Sequence, residues 1–426
     1  MSKIIIKKFL MIVSAVVIGL AFLSCDNQSH RGPFVPRHSS DLMLNVSASN
    51  INAISLTNNF IHSKADFSFD LFHQMLSSSQ NTMISGSSIL IALAMMANGA
   101  SGDTLNQIER AISDNISIAN LNRYLHSFAN NLHSFNRSQL EIANSIWFRQ
   151  GAIDVHQSFL QSTLDYFNAH AYASAFNQNT AKDINNWVNH HTDGMIERII
   201  NQIPFDAVMM LFNAIMFDSE WAVGYLYEDI LQNRVFVDYR GQEQRVTLMQ
   251  SIEKQFLSCD YASGFIKPYY GGHYSFVALL PNEGVCVIEY ARGLTGTGFL
   301  RMLDNAQNYA TRVKLPKFEF RNNFDIVGVL YNLGITDLFC WDSADLSRMG
   351  TVDAGTLFVN EAVHSTFIEV NEKGTRAAAV TGFMVACSDG PSGWFDKEVI
   401  LNRPFAFAIV DNTTNLPIFK GTVLNV

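Results

Sequence analysis

One stretch near the C-terminal end constrains this chain more than any other: Glu372-Lys373-Gly374-Thr375-Arg376-Ala377-Ala378-Ala379-Val380-Thr381. It follows Thr366-Phe367-Ile368-Glu369-Val370-Asn371, whose apolar/polar alternation reads as a β-strand. A strand is expected to end in a turn, yet this one runs on into small residues that keep a strand-compatible alternation. Thr375, Ala377, Ala379 and Thr381 then share one face, and none is large or charged. Such a face fits a tight gap between two existing strands. A charge on it would be buried unpaired, at a cost of several kcal/mol. Arg376 falls on the opposite parity, where it can stay in water. An isolated Ala-Ala-Ala is more often a small-residue surface loop, so the rest of the chain must decide.

At 426 residues the chain has the length of two or three ordinary domains. Pattern signals run without a second linker from about residue 61, however, which points to one large domain over 61–426. Hydrophobic content of 48% and charged content of 16% fit a folded, well-cored protein rather than a disordered one. A net charge of −9 leaves no basic stripe for nucleic acid.

The N-terminus reads as a targeting segment. Lys3, Lys7 and Lys8 precede an apolar run from Phe9 to Leu23, shorter than the ~20 residues of a membrane span. The run ends Phe22-Leu23-Ser24-Cys25, a small residue followed by Cys, which resembles a bacterial lipobox. Residues 1–25 are then a lipoprotein signal and Cys25 the lipid-attachment residue. Phe22 stands where an aliphatic residue is usual, and an ordinary secretion signal is the alternative. Residues 26–60 lack strong periodicity, and Pro33 and Pro36 discourage helix, so they read as a flexible tether. The expected location is the periplasmic face or surface of a bacterial membrane, or, failing lipidation, outside the cell. The remaining cysteines, Cys259, Cys286, Cys340 and Cys387, form no CxxC pair, and no His/Cys cluster has zinc spacing. Free or buried thiols and no metal are expected.

Along the chain, 67–76 has an amphipathic helical pattern, and 89–97 is apolar all round, a buried helix ended at Gly99. Thr104-Leu105-Asn106-Gln107 fits a capping box. Segments 140–148 and 208–217 read as strands, the second followed by Trp221, and 184–194 as a helix stopped by Gly194. His190-His191 are read as solvated polar residues, since neighbours on a helix point apart.

These segments together resemble the serpins over about residues 61–426. The resemblance is carried by Asn81-Thr82-Met83-Ile84-Ser85 and Gly99-Ala100-Ser101-Gly102, by Lys314-Leu315-Pro316-Lys317-Phe318-Glu319-Phe320, and by Phe358-Val359-Asn360-Glu361-Ala362-Val363-His364. Asn402-Arg403-Pro404-Phe405-Ala406-Phe407 and the final Ile418-Phe419-Lys420-Gly421-Thr422-Val423 complete it. Gly86 departs from the Pro usual in the family. The resemblance implies an α+β fold of three β-sheets and about eight or nine helices, with an exposed reactive-centre loop over about 372–398.

By that resemblance Glu372, Gly374, Thr375, Ala377, Ala378 and Ala379 fall on the hinge of the loop. Ser85, Ser88, Asn213 and His364 match the polar shutter beneath the opening strands, and Trp221 the breach where the loop first enters. Counting from Gly374 places the reactive bond at Ser388-Asp389, with Ala386, Cys387 and Gly393 as alternatives because the loop is about five residues longer than usual. Small residues there suit an elastase- or subtilisin-like target, and no Arg or Lys lies between Val380 and Asp396. Cys387 is either a passive small residue or an oxidisable thiol.

No catalytic constellation stands out. Ser251-Ile252-Glu253-Lys254 spells SxxK without its partner motifs, and no HExxH, P-loop or GxSxG is present. The resemblance to the serpins then implies not an enzyme but an inhibitor without a cofactor, monomeric, whose partner is a protease trapped as an acyl-enzyme. The alternative is a non-inhibitory serpin acting as a binding or structural module. Small hinge residues favour the first.

Overall fold

The computed structural model describes residues 32–114, 116–132, 134, 137–205, 207–352, 355–376 and 394–426. Its spine is the strand Met209–Glu220, apolar on both faces and buried along nearly its whole length. A strand can be apolar on both sides only if both faces are covered. Here the helix Gln178–His191 covers one side, with Ile184, Trp187 and Val188 packed among Met210, Phe212 and Met216. The second large sheet covers the other, where Ile215 and Phe217 meet Tyr274 and Phe276.

The spine belongs to a seven-stranded sheet in the order Ser39–Asp41, His170–Ser174, Ser138–Arg149, Met209–Glu220, Gly374–Thr375, Ala362–Val370 and Phe318–Asp325. A nine-stranded sheet packs behind it, and Asp154–Val155 pairs with Gly350–Thr351 in a third, two-stranded one. Nine α-helices are present among the described residues. Fold class and sheet count agree with the sequence expectation.

Helix Gly86–Gly99 runs through the centre, buried all round as its composition requires. Ser85 caps it by accepting from the Ser88 N–H. Gly86 is there for space: a Cβ would lie 2.0 Å from Ser68 Oγ and 2.8 Å from Ser68 Cα. The amphipathic helix is longer than its pattern, Asn58–Met75, and is capped by Thr57.

Three sequence expectations are corrected. Residues 32–57, read as tether, lie against the body. Ser39–Asp41 pairs antiparallel with His170–Ser174, and Asp183 accepts from the N–H groups of Arg37 and His38 and from the Ser39 hydroxyl. An exposed edge strand offers unpaired backbone groups, and periodicity is silent about a short polar segment that satisfies them. Thr104 and Gln107 form no capping box, because the helix Gly102–Ile112 starts earlier. Their side chains instead accept the N–H groups of Asp345 and of Thr336 and Asp337, tying distant loops to the helix. His191 is not solvated: its Nδ1 lies 2.6 Å from Glu141 Oε1, and its ring packs 4.8 Å from that of Trp187.

Candidate functional site

The spine strand and Ala362–Val370 are neighbours only at one end. Four parallel pairs, Ala362 with Leu211 through Ser365 with Ala214, join them. Among the described residues no ladder pair connects 215–218 with 366–369. At the far end Gly374–Thr375 lies between the two strands, antiparallel to both: Gly374 opposes Glu220, Thr375 opposes Ser219, and Thr375 also opposes Val370. The turn before it closes with Asn371 N–H to Gly374 O at 2.9 Å.

Glycine at 374 is a requirement of close approach. A Cβ there would sit 2.0 Å from Ser219 O and 2.8 Å from Glu220 Cα. Thr375 is 2% exposed, and its hydroxyl is 2.5 Å from Tyr269 OH. Burial pushes the Tyr269 phenol up, so it stays neutral. Arg376 does not stand free in water as its parity implied. Its guanidinium reaches Asp193 O at 3.2 Å and lies over the Phe367 ring, with φ at +37° in the left-handed region. Glu372 lies 2.5 Å from Lys317 Nζ. Burial opposes the Glu372 charge, but the Lys317 hydrogen bond and charge outweigh it and hold the carboxyl below its ordinary range.

Trp221 forms the floor of this region. Its ring stacks on Tyr269 at 4.6 Å and 10°, its indole N–H donates to Asn371 O at 2.9 Å, and its backbone N–H donates to Lys373 O at 2.8 Å.

Lower down, where the two strands still pair, a polar cluster joins them to the central helix. The Ser85 N–H donates to His364 Nε2 at 3.0 Å, and Ser88 Oγ donates to Asn213 Oδ1. Asn213 Nδ2 donates to Asn144 Oδ1 at 2.7 Å, and the Thr366 hydroxyl to Met83 O at 3.0 Å. An accepting Nε2 places the imidazole proton on Nδ1, which is buried without a partner. Burial lowers the His364 pKa to about 4. A neutral ring is what this dry location demands.

The structure thus brings Glu372, Gly374, Thr375 and Trp221 together at one end of the gap, and Ser85, Ser88, Asn213 and His364 at the other. Cys25, Ala377, Ala378, Ala379, Ala386, Cys387, Ser388, Asp389 and Gly393 lie outside the described residues. Sequence reasoning missed Asn144, Thr366 and Tyr269, whose neighbours in the chain give no signal of the distant partners they meet. It also passed over a buried pair behind Trp221, Lys267 Nζ and Glu253 Oε1 at 2.7 Å. The SxxK motif dissolves in space, since the Ser251 hydroxyl donates to Glu253. Cys259, Cys286 and Cys340 are free thiols, and no group of metal-ligating side chains occurs among the described residues.

The Serpin (serine protease inhibitor) family model matches residues 62–426. The chain is a serpin. Human neuroserpin is 29% identical over 381 residues, 85% of this serpin and 90% of that protein. The thermophilic serpin tengpin in its native state is 42% identical, with a TM-score of 0.87 over 92% of this chain and 100% of that one. Tengpin in its latent state superposes less closely, at 40% identity and a TM-score of 0.79 over 88% and 100%. Membership supports a protease-inhibitor type of function, with target proteases as partners, rather than catalysis.

Proposed function

We propose that this serpin traps a serine or cysteine protease as a covalent acyl-enzyme by inserting its cleaved reactive loop into the seven-stranded sheet. One observation carries the reading: Gly374–Thr375 already runs antiparallel to both neighbours at the mouth of a pair of strands that no ladder joins above Ser365. Continuing the register from Thr375 opposite Ser219 would set Ala377, Ala379 and Thr381 opposite Phe217, Ile215 and Asn213. Directly opposed residues share a face. The small face read in the sequence would therefore point toward the nine-stranded sheet, on the side of Ile215 and Phe217, with Thr381 at the polar cluster.

The chemistry is that of a protease meeting a substrate. The protease nucleophile adds to the carbonyl of Ser388, and the bond from that carbonyl to the Asp389 nitrogen breaks. The leaving amine takes a proton from the protease's general acid, and an ester or thioester joins loop to enzyme. The cut frees the loop from its C-terminal attachment at Lys397–Ile400, and insertion proceeds. Ordering each residue costs about 1–2 kcal/mol. Two antiparallel ladders in place of four parallel pairs, with apolar burial at ~25 cal/mol per Å², offset that cost. The intact form is then held kinetically, with the contacts of Ser85, Ser88, Asn213 and His364 having to part before the gap can lengthen.

Small residues from Ala386 to Ser388 favour an elastase- or subtilisin-like target. The basic and apolar residues up to Leu23 support export, and Ser24-Cys25 after them supports lipid anchoring at a bacterial membrane. Incubation with elastase-, subtilisin-, trypsin- and papain-type proteases tests the reading. An SDS-resistant complex and a released peptide beginning at Asp389 are expected. Cleavage without complex, and without a rise in melting temperature, would refute it in favour of a binding or structural module.

A further inference from the structure

Lys267 is a lysine in the interior of a sheet. Its side chain is 2% exposed, and Nζ donates to Glu253 Oε1 at 2.7 Å. Glu253 also accepts from the Ser251 hydroxyl at 2.6 Å. Removing both charges from water costs several kcal/mol per ion, and an apolar pair of similar volume often serves stability as well or better. Bulk packing therefore does not explain the pair. Its contacts do.

Besides Glu253, Lys267 Nζ touches one segment of chain, 221–225. It donates to Val223 O at 3.3 Å and lies 5.3 Å and 4.5 Å from the ring centroids of Trp221 and Tyr225. Beyond the bridge at Trp221 and the Ala222 N–H bond to Pro268 O at 3.0 Å the segment is irregular, and Val223 is 63% exposed, so little packing fixes the backbone of 223–225. Yet its opposite side clasps the turn that carries the hinge. The Trp221 N–H donates to Lys373 O at 2.8 Å, the Tyr225 N–H to Glu372 O at 3.3 Å, and the Trp221 indole N–H to Asn371 O at 2.9 Å. Two residues on lies Thr375, in the gap.

We propose that Lys267 and Glu253 are positioning residues for loop insertion. Glu253 orients the buried ammonium. The ammonium, held by one carbonyl and two ring faces, fixes 221–225 so that its N–H groups grip 371–373 and hold Thr375 at the mouth of the sheet. A leucine at 267 fills the same space but offers Val223 O no donor and the rings no charge. Residues 223–225 then lose their anchor while the bridge at Trp221 and the sheet stay packed. The inference rests on the reading that Thr375 leads insertion.

The test is amide hydrogen exchange by mass spectrometry on peptides covering 221–226 and 371–376, with a peptide from Gly86–Gly99 as internal reference. In K267L/E253L, which leaves no lone buried charge, exchange in the first two peptides is expected to rise at least tenfold. The reference and the melting temperature stay near the parent's, and K267R keeps parental protection. If K267L/E253L does not fold, K267M/E253Q, which likewise offers Val223 O no donor and leaves no lone buried charge, carries the same expectation. Parental exchange in both peptides of a folded double variant would overturn the proposal. Loop insertion is read separately, from the melting temperature of the cleaved parent. Failure there sinks the insertion reading without altering the exchange result.

Discussion

Thr375→Arg separates the intact protein from the inserted one. Thr375 is 2% exposed and its hydroxyl is paired with Tyr269 OH. Losing that hydrogen bond costs about 1 kcal/mol, leaving Tyr269 unpaired costs about 1–3 kcal/mol, and burying an unpaired guanidinium adds several more. In the intact protein the arginine escapes by withdrawing the two-residue wedge into solvent, so only the few hydrogen bonds of Gly374–Thr375 are lost. In the inserted form there is no escape. If half of a total of about 6 kcal/mol is felt at the insertion barrier, insertion slows about 150-fold relative to deacylation. The variant should be cleaved as fast as the parent, with its ratio of trapped to released protease lower by about 150-fold. Titration of inhibitor against active protease, with gel quantification of complex and cleaved forms, reads that ratio. An unchanged ratio in Thr375→Arg would falsify the insertion mechanism for this chain.

The remaining predictions concern the glycine, the buried histidine and the anchor. Gly374→Val places a Cβ within 2.0 Å of Ser219 O, so the wedge should be expelled. Exchange in 371–376 should rise, with the melting temperature of the uncleaved protein little changed. His364 titrates near 4 in the folded chain and near 6.5 when exposed. Acid therefore favours the unfolded state, and stability should fall by about 2 kcal/mol from pH 7 to 5 and by about 3 kcal/mol in all below pH 4. Urea unfolding at several pH values should show this slope diminished in His364→Gln, and an equal slope in both proteins would refute the assignment. Cys25→Ser should move the exported protein from the detergent phase to the aqueous phase in a cloud-point separation.

Much of the fold was legible because its signals are local. The alternation ending at Val370 and the all-apolar run 89–97 each declare themselves within about ten positions. Element starts were read late, as at Asn58 and Gln178, because the first turns are polar and capped rather than periodic. The segment 32–57 was misread for the same reason: it is held by backbone pairing and by Asp183, not by an apolar stripe.

The sequence alone determined the alternation of small residues that suits insertion, the glycine at 374, and the polar residues placed within largely buried strands. Only the tertiary structure decided their partners. Tyr269 meets Thr375 across 106 residues, Asn144 meets Asn213 across 69, and Ser85 meets His364 across 279. A buried polar group must find a partner or cost stability, but nothing in its neighbouring residues says which one. That choice belongs to the packing of two sheets and a helix, where strands far apart in the chain are brought to one register.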